Sequence, residues 1–422
     1  MQRLNWGTVF AASLMLGACG GSNTTATSGG NTTASSAPGT SDHAASTSGS
    51  EAPTVAASAA PTVDTSQYQN VPPGRFASVT AGDSHTCAIT TTGSVQCWGI
   101  NEHGQIARPD RGSVHPAPTD IPGVSNAAQI TAGFAFTCAQ RNDHSAMCWG
   151  ENTYGQLGFN TPEVQPTPTA VRGLTGVQAI VAGTSHACAL VANGAVQCWG
   201  DSSQGQLGDN QTHPRPTPRA VPGITGVTQL DSGYAHTCAL LGDHTVKCWG
   251  NNDHGQSGAA TGDAQLTPNA IAGLSNVTSL ALGGSHSCAL LADHTVRCWG
   301  HNGNGQLGDG TIVDQRAPVA VAGITNAMYI AAGDSHTCAV LDDHTVRCWG
   351  GNHLGELGDG TRTDRHAPTA VPGLGDVVSM NLGTEHSCAL RSDHNVFCWG
   401  DNSDGKLGDG STTARPNPVL VH

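Results

Sequence analysis

Apolar and polar residues alternate with a period of two in short runs along most of the chain, and the runs recur in a fixed order. His336-Thr337-Cys338-Ala339-Val340 is one run and Thr345-Val346-Arg347-Cys348-Trp349 the next, with Asp342-Asp343-His344 between them. Alternation of this kind predicts half-buried strands, and the polar triplet predicts a hairpin turn. If Cys338 faces Cys348, then Val340 faces Val346, and the register closes on a short loop around Asp343. The stretch Gly350 to Gly360 is too rich in glycine for a helix and reads as a loop. A third strand is predicted to begin at Pro368-Thr369-Ala370-Val371, with proline at its first position, where a missing N–H is tolerated. Val378-Ser379-Met380-Asn381-Leu382 alternates again and supplies a fourth.

This unit is repeated. Cys-Trp-Gly begins at Cys97, Cys148, Cys198, Cys248, Cys298, Cys348 and Cys398, and a second cysteine stands ten residues before each. Four short strands per repeat, seven times over, predict an all-β chain folded as a seven-bladed β-propeller of four-stranded blades. The Pro-x-x-Val strand begins at Pro118 and recurs down to Pro418, where the chain ends. The C-terminal strand is therefore expected to complete the first blade and close the ring, hiding edges that an open array would expose.

The N-terminal stretch follows other rules. Arg3 is followed by an apolar run, Val9 to Leu16, which is too short to span a bilayer and has the length of a signal-peptide core. It ends in Leu16-Gly17-Ala18-Cys19, which resembles the lipobox of bacterial lipoproteins. The resemblance implies removal of residues 1–18 and acylation of Cys19. No aspartate follows Cys19, so outer membrane or cell surface is the expected location. Residues 19–70 use almost only Ser, Thr, Gly, Ala, Asn and Pro, with no periodic apolar face, and read as a tether. The propeller is expected over 71–422.

Composition narrows the function. Lys and Arg number 17 against 31 Asp and Glu, a formal charge of −14, with no basic run, which excludes a nucleic-acid binder. The chain has 15 cysteines. Fourteen fall into seven equal pairs: Cys87–Cys97, Cys138–Cys148, Cys188–Cys198, Cys238–Cys248, Cys288–Cys298, Cys338–Cys348 and Cys388–Cys398. The remaining one is Cys19. The pair spacing is wrong for a zinc knuckle. Facing positions on antiparallel strands in an exported chain predict seven disulfides, each contributing about 2.5–3 kcal/mol through the loop it closes.

Read in order, Gly-x-x-His-(Thr/Ser)-Cys-Ala-Leu, Val-x-Cys-Trp-Gly-x-Asn, Gly-Gln-Leu-Gly-Asp-Gly-Thr and Pro-x-x-Val resemble the regulator-of-chromosome-condensation repeat, from about Phe76 to Val421. The resemblance implies a seven-bladed propeller whose members mostly bind other proteins. The family's eukaryotic founder is a guanine-nucleotide exchange factor for a small GTPase, and a secreted bacterial relative of the fold inhibits β-lactamases by docking one face on them.

The repeated residues read as scaffold. One tryptophan per repeat (Trp98, Trp149, Trp199, Trp249, Trp299, Trp349, Trp399) is expected in the core between blades. His85, His186, His236, His286, His336 and His386 stand in Gly-x-x-His, with Phe136 in the second copy. They are expected to be buried imidazoles bonding backbone groups rather than metal ligands. His144, His244, His294, His344 and His394 are expected to be solvated turn residues. Asp309-Gly310, Asp359-Gly360 and Asp409-Gly410 are expected to be tight turns rather than calcium loops, which need more carboxylates. No catalytic residue, metal or cofactor is expected, because nearly every titratable motif is repeated and no singular constellation stands out.

The repeats diverge at three loops, and loops on a rigid scaffold often carry function. Candidate partner-binding residues are Ile106, Arg108, Asp110 and Arg111 in the first, Phe159 and Asn160 in the second, and Ser257 and Asp263 in the fourth. The expected function is a monomeric, lipid-anchored scaffold that docks a protein partner outside the cytoplasm and contacts membrane only through its anchor. The alternative is an envelope polysaccharide-binding propeller. A hydrolase or lyase, or an exchange factor by family analogy, ranks below both.

Overall fold

In a computed structural model, residues 74–160 and 163–422 are described, and they form seven four-stranded antiparallel sheets of four consecutive strands each. In the first, Phe76–Ala81, His85–Thr90, Val95–Ile100 and Val114–Asp120 lie side by side in chain order. The sheets are the blades of a β-propeller. Their innermost strands are Phe76–Ala81, Ala127–Ala132, Val177–Ala182, Val227–Ser232, Val277–Leu282, Ala327–Ala332 and Val377–Leu382. Each lies against the next, and the seventh lies against the first. The signal peptide and tether expected before residue 71, with Cys19, fall outside the described residues.

The expected hairpin register holds: Cys338 pairs with Cys348 and Val340 with Val346. Residues His144, His244, His294, His344 and His394 close these turns at φ of 62–66°. Histidine is one of the few non-glycine types that tolerate this left-handed region. These residues are not merely solvated. His344 Nδ1, for one, bonds the carbonyl of Val377 on the next blade at 3.1 Å. Two other expectations are corrected. The strand expected to start at Pro368 spans Arg365–Ala370, with the proline in its interior. Between Cys348 and Gly350 the pairing slips, so Pro368 falls in an irregular stretch of an outer edge strand where no ladder donor is required. The C-terminal strand, Arg415–Leu420, completes the seventh blade and not the first. Each Pro-containing strand pairs with the Cys-Trp-Gly strand before it, so Val114–Asp120 already fills that place in the first blade.

The ring closes instead by packing and hydrogen bonds between the terminal blades. The amide of Gly74 donates to Asp393 O at 2.8 Å and that of Phe76 to His394 O at 3.1 Å. Phe76 and Trp98 pack with Cys388, Cys398 and Leu407.

The core is divided into seven clusters, one at each junction. Each combines the cystine of one blade with the tryptophan of the next, as Cys87, Cys97 and Ile106 do with Trp149. All seven cysteine pairs are joined as disulfides with Cα atoms 4.0–4.1 Å apart. This is the close spacing of directly opposed strand residues. The glycine of Cys-Trp-Gly is required by geometry. Gly99 has φ 107°, and a Cβ there would sit 2.5 Å from the carbonyl oxygen of Ser84.

Candidate functional site

Between blades, the repeated polar residues form one buried relay. His85 Nε2 lies 2.8 Å from Thr137 Oγ1 of the next blade. The hydroxyl of Thr137 donates to Gln105 O at 2.9 Å, and Trp149 Nε1 donates to the same oxygen at 2.9 Å. The hydroxyl proton is committed to the carbonyl, so the hydroxyl oxygen must accept from His85 Nε2–H, which fixes a neutral tautomer. Burial pushes the imidazole pKa down to about 4 at His85 and His186, and to about 3 at His236, His286 and His336. The histidines thus bond a neighbouring hydroxyl rather than the backbone groups expected from sequence. The relay recurs at six junctions and is missing at one. Where Phe136 replaces the histidine, Ala187 replaces the hydroxyl residue, and Trp199 Nε1 alone donates to Gln156 O at 2.9 Å. Losing both partners together strands neither an imidazole N–H nor a hydroxyl.

The Asp-Gly loops are turns, as expected. Asp359 Oδ1 accepts from Thr361 N at 2.9 Å, and Arg365 Nε donates to its other oxygen at 2.8 Å. Burial opposes the charge on Asp359, but these bonds outweigh it and hold the carboxyl below its ordinary pKa. Its oxygens are engaged by protein donors, which leaves no cation cage.

The turns joining the first two strands and the loops joining the last two lie at the same end of the ring. Ile100 N donates to Ser84 O at 3.0 Å, and Lys406 Nζ donates to Asp83 O at 3.3 Å. At this loop end a channel opens among the innermost strands, enclosing about 260 Å³. Its polar side chains cap innermost-strand amides that would otherwise be bare. Asn381 Oδ1 accepts from Ala81 N at 2.7 Å, Gln129 Oε1 from Ile180 N at 2.9 Å and Asp231 Oδ2 from Leu282 N at 2.8 Å. Burial pushes the Asp231 carboxyl up to about 7.

In six blades the channel mouth is lined by the residue after the glycine of the Gly-x-x-His segment: Asp83, Phe134, Thr184, Tyr234, Asp334 and Thr384. Backbone bonds run from blade to blade around it, as from Thr184 N to Tyr234 O at 3.1 Å. Tyr234 Oη donates to Thr384 Oγ1 at 3.0 Å, spanning the fourth and seventh blades across the mouth. Burial raises the pKa of both Tyr234 and Asp334. Phe134 is 46% exposed. The sequence carries a signal for this rim, because the position varies among five residue types inside a repeated motif.

The candidate loop residues separate into two groups. Ile106, Phe159 and Ser257 are buried, which corrects their assignment as contact residues. Ile106 and Ser257 stand where Leu157, Leu207, Leu307, Leu357 and Leu407 fill the core in the other repeats. Asp110, Arg111, Asn160 and Asp263 are exposed and Arg108 is half-buried, all at the loop end. Asp110 pairs with His115 at 3.1 Å, and Arg111 Nε donates to Glu102 O at 3.1 Å.

The comparisons agree with this architecture. The human WBSCR16 structure superposes with a TM-score of 0.71 at 23% identity, covering 78% of this chain and 94% of that one. Yeast RCC1 (Prp20) in its Kap60 complex gives 0.65 at 24%, covering 73% and 78%. The ultraviolet-B receptor UVR8 of Arabidopsis thaliana is 34% identical over 85 residues, which is 20% of this chain and 19% of the receptor. The secretion-regulating guanine nucleotide exchange factor of Bos taurus is 32% identical over 82 residues, 19% of this chain and 18% of that protein. These matched segments are about a fifth or less of either relative. The RCC1-like domain model matches residues 10–328, and RCC1 repeat models match segments between 329 and 422. Seven blades of one repeated unit and a family match over most of its length place this chain in the RCC1-like domain family, whose propellers commonly mediate protein binding.

Proposed function

We propose that this chain is a non-enzymatic binding module, lipid-anchored through Cys19 outside the bacterial cytoplasm, that docks a protein partner on the loop end of its propeller. The observation that carries this reading is where its large apolar side chains are exposed. Val114, Phe134, Tyr154, Ile312 and Val313 are exposed, and all lie on loop-end segments. Large uncovered apolar and aromatic side chains mark interaction surfaces. The seven disulfides indicate an oxidising, extracytoplasmic environment, in keeping with the Cys19 motif. The same setting argues against guanine nucleotide exchange, the activity named for the bovine relative. Among the described residues no helix is long and apolar enough to cross a membrane.

The polysaccharide reading is favoured by one feature, a cleft between the second and third blades lined by Tyr154, Asn160, Pro214 and Pro216. Crosslinking and affinity capture from intact cells decides between the two. Wild type should retain a protein, the variant F134S/Y154S/I312S/V313S should lose it, and M328S/V378S, away from the loop end, should keep it. Retention by the loop-end variant rejects the docking face. Retention of glycan in place of protein favours the alternative.

A further inference from the structure

Three equivalent positions recur at the loop end of each junction between blades. One is the residue before Gly-Gln in the earlier blade, the second follows Cys-Trp-Gly in the later blade, and the third precedes the later blade's outer strand. The contact is visible at the third junction, where Asn251 Nδ2 donates to Gln204 Oε1 at 3.3 Å. At the fifth junction the three residues are Asn304, Gly351 and Asp364, and at the sixth Leu354, Asp401 and Ala414. At the fourth they are His254, His301 and Asp314. Among the described residues, these are the group of three His, Cys, Asp or Glu side chains placed to hold a metal, each offering a donor atom within 4.8 Å of the others.

We propose that His254, His301 and Asp314 form a zinc-binding site across the junction of the fourth and fifth blades. His254 Nδ1 lies 2.7 Å from Asp314 Oδ2, and the two imidazole rings are 4.5 Å apart between centroids. Tetrahedral Zn²⁺ with bonds of about 2.0–2.1 Å sets its donors about 3.3 Å apart. The site reaches that spacing when the His254–Asp314 hydrogen bond opens slightly and His301 closes in. Zinc takes the place of the proton between His254 Nδ1 and Asp314 Oδ2, and the ligating neutral ring carries its N–H on Nε2.

The surroundings hold the donors in place. Asn302 N donates to Asp314 Oδ1 at 2.8 Å, which leaves Oδ2 for the metal. The Gln306 side-chain amide lies 2.7 Å from His301 Nδ1, so Nε2 is the nitrogen His301 offers. A half-turn of that amide, giving up its bond from Asn304 N, lets its oxygen accept the Nδ1–H of a metal-bound ring. Arg316 spans the same junction and donates to the carbonyls of Asn252, Asp253 and Thr261, pinning the loop that carries His254. Its guanidinium is thereby turned to backbone oxygens.

Two imidazoles and one carboxylate suit zinc better than calcium or magnesium, which prefer oxygen donors. Ferrous iron also accepts this donor set, but it does not persist where cystines do, whereas zinc has no redox chemistry. The side chains of His254 and Asp314 are each 40% exposed, so a fourth coordination position remains open to water or to a partner's side chain.

The test is calorimetric titration of ZnCl₂ into the full chain, carrying no affinity tag and stripped with EDTA, near neutral pH. One equivalent should bind with micromolar or tighter affinity. H254Q and H301Q should each weaken binding at least tenfold, while H353Q, an exposed loop-end histidine outside the cluster, should bind as wild type does. Substituting Co²⁺ should give the intense visible absorption of a four-coordinate centre, lost in both cluster variants. The cluster side chains are partly exposed, so circular dichroism should confirm that the variants remain folded. Absence of zinc binding by wild type overturns the proposal, as does equal binding by the cluster variants.

Discussion

The layer between blades and the loop end of the same ring obey opposite rules. Between blades, the tryptophan recurs in all seven repeats, the cystine in all seven and the histidine relay in six. At the loop end, equivalent positions hold Asp83, Phe134, Thr184, Tyr234, Gly284, Asp334 and Thr384. The difference follows from surroundings. The imidazole Nε2 and the hydroxyl it meets are buried together, so that pair changes only as a whole, as at Phe136 and Ala187. Most mouth positions are only partly covered and meet no fixed acceptor on the next blade, so each blade can differ.

Acid should break the buried layer most severely. Each relay histidine is held neutral in the fold, with its pKa driven by burial to about 3 or 4 at five positions and well below its ordinary value at His386. The unfolded chain takes up protons near pH 6.5, so this contribution is complete above that pH and is lost as pH falls toward the folded values. At pH 5 the loss is about 2 kcal/mol per ring at the five, which together approach the stability of a whole domain. The thermal midpoint should fall steeply from pH 7 to pH 4.5, and a flat profile contradicts the relay.

Trp349→Ala should follow, destabilising by about 3–5 kcal/mol in urea titration, because it removes a fully buried ring and leaves Gln306 O with one donor. A smaller change sharpens the comparison. Thr337→Val should cost about 1–3 kcal/mol by stranding His286 Nε2. The pair H286F/T337A, which copies Phe136 and Ala187, should cost less than the sum of its single variants and lower the acid slope by one proton. Strict additivity would separate the two positions. The smallest effect on stability belongs to the loop end. His254→Leu, which copies Leu354 of the sixth repeat, should shift stability by under about 0.5 kcal/mol while removing zinc. A large loss of stability would show that this loop position is scaffold.

The scaffold was legible in the sequence because its signals are local or periodic. Alternation gave the strands, and ten-residue cysteine spacing gave a register that the fold reproduces at Cys338 and Cys348. The closing strand was misplaced because the sequence shows four strands per repeat without showing where a repeat begins. The pairing of Arg415–Leu420 with Val396–Gly400 settles that phase. Ile106, Phe159 and Ser257 depart from the repeat as visibly as Asp110 does, but a departure in sequence does not reveal whether the side chain points into the core or out of it.

The sequence by itself determined that this chain is a repeated all-β array with seven cystines and one scaffold tryptophan per blade, because strand periodicity and hairpin contacts act over a few residues. Only the tertiary structure decided which divergent residues stand at the surface, which end of the ring carries them, and that His254 meets His301 and Asp314. Those three belong to two repeats and come together only when one blade packs on the next. Packing between blades joins side chains about one repeat apart, a distance across which no local pattern in the chain carries a signal.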